Sequence, residues 1–406
     1  MKRKFDSLST RARIVLAAVI LLAAALLCAV LWSGSDDEPR APEERPAATE
    51  TPVPSAESDF AAKAQTLLDS MTTREKICQL LIMQPQFLPG AQGDVQALTP
   101  ALEQTLREYP VGGVLLSLEN MVNAKQLKAL TASFQQNAKI PMILCLDEEG
   151  GSISRLALKV GTTKLDNMFA YRSKGPDVAR QNARSLGADL AAFGFNTDLA
   201  PVADVWSNPE NQVIGERAYS DDFTVAGELV AAAVQGFHDS GTICCLKHFP
   251  GHGSTRTDSH EEAAYVDASL EALRGHEFLP FQSGIEAGAD MVMVGHLTVP
   301  GIDSVPATFS KRIVTDLLRG ELGFSGVVIT DGLEMAAAGK QSDGRKALRA
   351  LEAGCDLLLG LYDVPAAVRA LEDALQTGDL TPEALDAHVL RVLTLKAQYG
   401  LIPAAE

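Results

Sequence analysis

The chain has 406 residues, a formal net charge of −17 and a charged-residue content of 21%. No basic patch recurs along this acidic sequence, which argues against nucleic acid as a partner. Composition divides the chain into an apolar N-terminal segment, a proline-rich segment and a long remainder, residues 59–406, whose size is ordinary for one α/β barrel.

Residues 14–32 contain no charged side chain. A helix of this length, rising about 1.5 Å per residue, reaches roughly 28 Å, close to the thickness of a bilayer core. Basic residues are concentrated in residues 1–13, so the positive-inside rule puts that basic segment in the cytoplasm. We therefore expect a single-pass anchor in the cell membrane with an extracytoplasmic domain. A signal peptide, cleaved near Ser33-Gly34-Ser35 to release a secreted protein, is the alternative.

Residues 33–58 are rich in Pro, Glu and Ala and offer little apolar surface to bury. This composition is typical of a disordered, extended linker. We expect it to hold the following domain away from the membrane.

Short apolar runs recur through the remainder, separated by amphipathic, helix-like stretches. Near-continuous apolar strands without alternation are typical of a parallel sheet covered on both faces. Eight such units predict one α/β domain, a (β/α)₈ TIM barrel over residues 59–406. A doubly wound open sheet is disfavoured because no GxGxxG follows a first strand. The predicted strands are 79–83, 112–117, 142–147, 197–204, 243–249, 291–296, 327–331 and 357–363.

Five cysteines lie beyond the apolar segment, an odd number without CxxC spacing, and four of them fall in apolar runs. They are predicted to be buried small hydrophobes and not a disulfide framework.

Polar residues follow most of the predicted strands directly. The carboxyl ends of barrel strands surround a single mouth, so these positions are expected to converge there. For Asp204 or Asp363 alone, capping of the next helix is an equally good interpretation. The strand-end residues are Asp147, Asp204, Lys247, His248, His296, Asp331 and Asp363.

The stretch "KHFPGHGSTRTDSH", from Lys247 to His260, holds three of the seven histidines. A zinc set of His248, His252, Asp258 and His260 is conceivable, but the spacing matches no zinc motif and Lys247 would place a cation beside the metal. No metal is therefore expected. Asp258 and His260 instead point to one side of an extended segment, as a carboxylate–imidazole pair for proton transfer would. A polar loop with incidental histidines stays open as the plain alternative.

Asp331 ends the seventh predicted strand in "TDGLEM", where Gly332 leaves space beside its carboxylate. A bare carboxylate at a barrel mouth is the type of nucleophile used in retaining glycoside hydrolysis. Capping of the following helix explains this residue equally well from the motif alone.

Together these motifs resemble glycoside hydrolase family 3, in its single-domain β-N-acetylhexosaminidase branch. The resemblance extends over nearly all of residues 59–406, and the motifs occur in a specific order. They are "LDEEGGSISR" (146–155), "LAPVADV" (199–205), "VIGERAY" (213–219), "KHFPGHG…DSH" (247–260) and "VVITDGLEM" (327–335).

The resemblance implies that Asp331 is the nucleophile, that His260 is the general acid/base and that Asp258 is its partner on a mobile loop. It also implies a set of side chains that hydrogen-bond the non-reducing N-acetylglucosamine. Two positions depart from the family pattern: Ser254 stands where Asp or Asn is expected, and Gly332 where many relatives have Asp or Ala. The implied sugar-binding residues are Asp147, Arg155, Arg217, Lys247 and His248.

The expected activity is that of a retaining exo-β-N-acetylglucosaminidase acting on peptidoglycan fragments, without a cofactor and as a monomer. The partners are the glycan substrate and, through residues 14–32, the membrane. Three alternatives stay open: a phosphorylase that uses phosphate in place of water, a broad-specificity β-glucosidase, and a catalytically silent wall-binding protein.

Overall fold

The computed structural model describes residues 56–256 and 263–402. The segments predicted as cytoplasmic (1–13) and membrane-spanning (14–32) lie outside these ranges, as does most of the predicted linker. Across the described ranges no helix combines the length and the apolar character that a membrane crossing requires. The first helix begins at Ala56, inside the segment predicted as linker (33–58), so the folded part starts slightly earlier than expected.

Eight parallel strands form one sheet in which the first seven pair in chain order and the eighth pairs with the first. A parallel bridge between Ile329 and Leu357 joins the last two strands and closes the ring. Each strand lies inside one of the eight predicted segments, which confirms the predicted barrel. The strands are β1 (Leu81–Met83), β2 (Gly113–Leu115), β3 (Ile143–Leu146), β4 (Thr197–Asp198), β5 (Ile243–Phe249), β6 (Met291–Val294), β7 (Val327–Thr330) and β8 (Leu358–Leu359).

Helices between the strands cover the outside of the barrel, and side-chain caps fix where many of them start. Thr72, Asn123 and Thr381, for example, each accept a hydrogen bond from a first-turn backbone N–H. A π-helix spans Arg312–Glu321. The α-helices are α1 (Ala56–Ser70), α2 (Thr73–Gln79), α3 (Pro100–Glu108), α4 (Ala124–Asn137), α5 (Arg155–Lys159), α6 (Pro176–Ala192), α7 (Phe223–Asp239), α8 (Leu270–Gly275), α9 (Phe278–Glu286), α10 (Asp343–Ala353), α11 (Val364–Thr377) and α12 (Pro382–Gln398).

The core is continuous from the barrel interior to the helix layer. All seven residues of β5 are buried, as expected for a strand covered on both faces. Every cysteine in the described ranges is buried and free, which confirms the prediction for these five thiols. Burial raises their pKa values, that of Cys78 to about 12.

A buried carboxylate, Asp356, reinforces the seam between β7 and β8. It accepts hydrogen bonds from Arg319 Nη2 at 2.6 Å, Arg391 Nε at 2.8 Å and the backbone N–H of Val328 at 2.9 Å. His388 Nδ1 lies 2.8 Å from Oδ1, the same oxygen that accepts from Arg391. Burial alone would raise the pKa of Asp356, but these cationic and hydrogen-bonding partners hold it below its ordinary value.

A second buried ionisable side chain joins the two ends of the domain. Lys396, on α12, is fully buried and donates to Gln79 Oε1 at 2.6 Å and to the carbonyl oxygen of Gly112 at 3.0 Å. Gln79 ends α2, so the last helix is tied to the first βα units. Burial lowers the pKa of Lys396 to about 7.

Candidate active site

The carboxyl ends of the strands surround a pocket of about 250 Å³. Six of the residues singled out from the sequence line this pocket together, although they come from different βα units. They are Asp147, Arg155, Arg217, Lys247, His248 and Asp331.

Four charged side chains form a continuous network on one side of the pocket. Lys247 Nζ lies 2.6 Å from an oxygen of Asp147 and 2.6 Å from an oxygen of Glu149. Arg217 donates two hydrogen bonds of 2.8 Å to the two oxygens of Glu149, the paired geometry that best suits an arginine and a carboxylate. Arg217 also donates to the carbonyl oxygen of Val213 at 2.8 Å. Glu149 therefore fixes both cations.

The network keeps its members charged despite burial. Burial alone would raise the pKa of Glu149, yet the charges of Arg217 and Lys247 hold it well below its ordinary value. Burial would likewise lower the pKa of Lys247, but Asp147 and Glu149 raise it above its usual range. The pocket therefore presents fixed ionic hydrogen-bonding groups, which suit the recognition of hydroxyl groups.

Glu148, beside this network, positions Arg155. Its carboxylate accepts the backbone N–H of Leu156 at 2.8 Å and that of Ala157 at 3.3 Å, at the start of α5. Burial is the main reason that the pKa of Glu148 is raised to about 7. Arg155, the first residue of α5, is thus held at the edge of the pocket.

Asp204 organises two histidines, His248 near the end of β5 and His252 in the loop after it. One of its oxygens lies 2.6 Å from His248 Nδ1 and accepts the backbone N–H of the same residue at 3.1 Å. Its other oxygen accepts the backbone N–H of His252 at 2.6 Å. Burial would raise the pKa of Asp204, but the histidines hold it below its ordinary value. Asp204 is therefore a support for the site, and helix capping does not explain it.

His252 has a structural role in the loop that follows β5. Its Nδ1 lies 2.7 Å from Thr255 Oγ1, and burial lowers its pKa. Asn211 Nδ2 donates to the carbonyl oxygen of His252 at 2.9 Å and to that of Thr255 at 3.2 Å. The base of the loop is therefore firmly tied to the segment that follows β4. Asp258 and His260, the predicted acid/base pair, lie outside the described residues, so their role stays a prediction.

Close backbone contact also fixes this loop base. A Cβ atom at Gly253 would lie 1.6 Å from the carbonyl oxygen of Val205, so only glycine fits. Ser254, which departs from the family pattern, is half-buried next to it.

Asp331 directly follows β7 and faces the pocket. Its backbone N–H donates to the carbonyl oxygen of Val294 at 3.0 Å, and the backbone N–H of Gly332 donates to its Oδ1 at 2.8 Å. The carboxylate is therefore oriented by the start of the turn that follows it. No helix begins at Asp331, so the capping interpretation does not apply.

Two further polar residues line the pocket and were not foreseen from the sequence. Gln84, after β1, donates through Nε2 to Glu334 Oε1 at 2.5 Å. The carboxylate of Glu334 packs against backbone, since a Cβ at Gly360 would lie 1.8 Å from its Oε2 and a Cβ at Gly332 would lie 2.7 Å from it. Glycine at 332, the second departure from the family pattern, thus leaves room for Glu334.

The other strand-end residues serve the fold. Asp363 caps α11, accepting the backbone N–H of Ala366 at 2.9 Å. The two ring nitrogens of His296 lie 2.8 Å from Thr308 Oγ1 and 2.8 Å from the carbonyl oxygen of Gly332. His296 therefore supports the turn that carries Asp331.

Within residues 56–256 and 263–402, one group of side chains is close enough to hold a metal ion: His238, Cys244 and Asp290. It lies where β5 and β6 begin, at the opposite end of the barrel from the pocket. The Asp290 carboxylate already accepts from Cys244 N at 2.9 Å and Tyr399 Oη at 2.8 Å, with His238 Nε2 at 3.2 Å. Hydrogen bonding therefore accounts for this cluster.

Comparison with known proteins places these features in a family. The profile of the glycosyl hydrolase family 3 N-terminal domain matches residues 72–395. Beta-hexosaminidase A of Pseudoalteromonas piscicida is 33% identical over 371 residues, which span 81% of this chain and 61% of that protein. Beta-hexosaminidase of Stenotrophomonas maltophilia (strain R551-3) is 36% identical over 313 residues, 75% of this chain and 88% of that one.

A solved structure shows the same architecture. The glycoside hydrolase family 3 β-N-acetylglucosaminidase from Paenibacillus sp. str. FPU-7 is 34% identical and superposes with a TM-score of 0.77. The match covers 83% of this chain and 64% of the Paenibacillus chain. The chain thus spans less than two thirds of that protein and of the Pseudoalteromonas relative.

Proposed function

The chain belongs to glycosyl hydrolase family 3, and from that membership we propose that it is a retaining exo-β-N-acetylglucosaminidase. The observation that carries the proposal is the pocket itself. A network of Asp147, Glu149, Arg217 and Lys247 shares the pocket with the carboxylate of Asp331, which follows a different strand. The names of the relatives support the N-acetylglucosaminide specificity.

In the proposed reaction, Asp331 attacks the anomeric carbon while the bond to the leaving oxygen breaks. His260, oriented by Asp258, donates the proton that the leaving oxygen takes up. The neutral His260 then removes a proton from water as the water displaces Asp331, so two inversions give overall retention. A histidine suits both halves of this cycle because its pKa lies near neutrality.

We assign the grip on the sugar to the charged side of the pocket. Asp147 can accept hydrogen bonds from hydroxyl groups, while Lys247, Arg155 and Arg217 donate them. His248, held by Asp204, completes this set. The charges are fixed before substrate arrives, which lowers the cost of ordering them around a sugar.

We also propose that the domain acts outside the cell on peptidoglycan fragments, tethered by residues 14–32. This proposal rests on the charge asymmetry around the apolar segment and on the proline-rich segment after it. Fractionation of cells that express the full chain tests it: the protein should stay with the membrane, and deletion of residues 14–32 should release it. A full chain that fractionates as soluble protein would contradict the tether.

The decisive experiment compares hydrolysis of 4-nitrophenyl N-acetyl-β-D-glucosaminide with that of the matching glucoside, with and without added phosphate. We expect turnover of the N-acetylglucosaminide, retention of configuration by NMR, and no sugar 1-phosphate. Asp331→Asn should lower kcat by about 10⁴-fold, since it removes the nucleophile.

Asp363→Asn is the matched control, because this aspartate also follows a strand but caps α11, a task that asparagine performs equally well. It should keep normal activity. Substantial activity in Asp331→Asn would overturn the mechanism, and phosphate-dependent formation of sugar 1-phosphate would replace hydrolysis by phosphorolysis.

A further inference from the structure

Two aromatic rings stand together at the rim of the barrel mouth. Tyr362 is 53% exposed although it is large and partly apolar. The ring of Phe87 packs edge-on against it, with ring centroids 4.7 Å apart and planes at 71°. An exposed aromatic face of this kind can pack against the apolar face of a ligand.

The chain path puts this aromatic pair next to the pocket. Tyr362 follows the pocket-lining residue Leu359 at the end of β8, and Phe87 follows the pocket-lining residue Gln84 after β1. The 2.5 Å hydrogen bond from Gln84 to Glu334 joins the segment that carries Phe87 to the segment that carries Asp331. The pair therefore continues the wall of the pocket outward.

The backbone beneath both rings is fixed. The backbone N–H groups of Tyr362 and Asp363 both donate to Asp343 Oδ2 at 2.7 Å. Phe87 ends a short 3₁₀ turn, Pro85–Phe87, in which its N–H donates to the carbonyl oxygen of Gln84 at 3.0 Å. Because this backbone is already ordered, binding of a ligand on the rings would cost little conformational entropy of the protein.

The position of the pair in the barrel indicates which part of a substrate it would meet. Asp147, Arg217 and Lys247 come from the units of β3, β4 and β5, whereas β8 and β1 lie two to four strands away around the ring. In a pyranose the hydroxyl at carbon 4 and the anomeric carbon lie at opposite ends. A sugar held by its hydroxyls on the β3–β5 side, with its anomeric carbon near Asp331, directs its leaving group towards β8 and β1.

We propose that Tyr362, braced by Phe87, is the platform on which the pyranose ring of the leaving sugar packs. This inference rests on the proposed glycosidase function and adds the site that recognises the aglycone. The faces of a pyranose that carry C–H groups are apolar, and an exposed, rigid aromatic face complements them. The substrate class is then a glycan in which N-acetylglucosamine is linked to another sugar.

The test compares two substrates that share the transferred sugar and differ only in the leaving group. N,N′-diacetylchitobiose has a pyranose leaving group, and N-acetyl-β-D-glucosaminyl fluoride has a single atom. The quantity measured is the ratio of kcat/KM for chitobiose to kcat/KM for the fluoride. Tyr362→Ala should lower this ratio about three- to tenfold, the range expected for loss of one aromatic contact.

Two further variants sharpen the result. Tyr362→Phe keeps the ring and should keep the ratio within about twofold of wild type, since only the hydroxyl is lost. Val122→Ala, which truncates another exposed apolar side chain (51% exposed) on the loop after β2, should leave the ratio unchanged.

The outcomes separate this inference from the proposed function. Wild-type protein that hydrolyses neither substrate would overturn the proposed function itself. Wild-type turnover of both substrates with an unchanged ratio in Tyr362→Ala would overturn the platform alone. Turnover of the fluoride without turnover of chitobiose would also overturn it, because a leaving sugar would then find no favourable contact.

Discussion

At the scale of single residues, Glu149 is the side chain on which the pocket's charges depend. It contacts both Lys247 and Arg217, is 3% exposed and bridges two cations that would otherwise repel each other. The two cations that the sequence predicts to bind the sugar thus share a counter-ion that it did not single out. The missed signal was the second glutamate of "DEEGG", since a buried arginine and lysine require a carboxylate between them.

Glu149→Gln should therefore destabilise the fold as well as the site. The substitution keeps the shape and removes the charge, so we expect the free energy of unfolding to fall by about 3 kcal/mol at pH 7. Because the folded pKa of Glu149 lies below its ordinary value of 4.5, its contribution is fully present above about pH 4.5 and is lost as the pH falls through the folded pKa. Urea unfolding from pH 7 to pH 3 should show the wild-type and variant curves converging.

The matched control is Glu352→Gln, which neutralises an exposed glutamate on α10. It should unfold like the wild type throughout this range. Equal stability of Glu149→Gln and wild type at pH 7 would show that the network is not a stabilising element.

At the scale of elements, the strands were predictable and the connections between them were not. Strands buried on both faces give continuous apolar runs, and this signal located all eight. Seven of the eight proved shorter than expected, β4 and β8 most of all. The strand β4 ends at Asp198, shortly before Pro201, which has no N–H to donate, and β8 ends at Leu359, before Gly360, whose φ of +71° leaves the extended region. The Gln84–Glu334 contact joins residues 250 positions apart, and no local pattern announces such a pair.

The loop base formed by Asn211 gives the element-scale prediction. Asn211 is 2% exposed and supports the carbonyl oxygens of His252 and Thr255, just before the predicted acid/base pair. Asn211→Ala should loosen that pair and lower kcat about tenfold for alkyl N-acetylglucosaminides, whose leaving groups need a proton. For 4-nitrophenyl substrates, which need little protonation, the loss should stay below about threefold.

Asn137→Ala is the control, since Asn137 lies near the end of α4 and its side chain bonds only to the carbonyl oxygen of Ser133 among the hydrogen bonds described for it. It should affect neither substrate. Equal losses on the two substrates in Asn211→Ala would mean that the loop base does not act through proton transfer.

At the scale of the whole molecule, buried polar contacts join distant parts of the barrel. Asp356 ties the β7–β8 seam to α12, and Lys396 ties α12 to α2 and Gly112. Contacts of this kind fix the arrangement of the first and last units. The sequence showed the helices but gave no sign that a lysine on the last one is fully buried.

Lys396→Met should change how stability depends on pH. Lys396 has a folded pKa of about 7 against an ordinary value of 10.5, so between these values the unfolded chain binds more protons than the folded one. The wild type should therefore gain stability relative to the variant as pH rises from 7 to 10, by at most about 1.4 kcal/mol per pH unit. Denaturant unfolding at pH 7, 8, 9 and 10 measures this difference.

Lys164→Met, at an exposed position, should give a curve parallel to that of the wild type. Parallel curves for Lys396→Met and wild type would show that Lys396 is charged in the folded protein throughout this range.

The five buried thiols give the domain a set of internal probes of its own opening. They sit on α2, β3, β5 and the segment before β8, and so sample several sectors of the barrel. A thiol reagent in solution reaches them only when the surrounding structure opens, because burial keeps them protonated and covered. The order in which they become modified therefore reports which sectors of the barrel open together and which open alone.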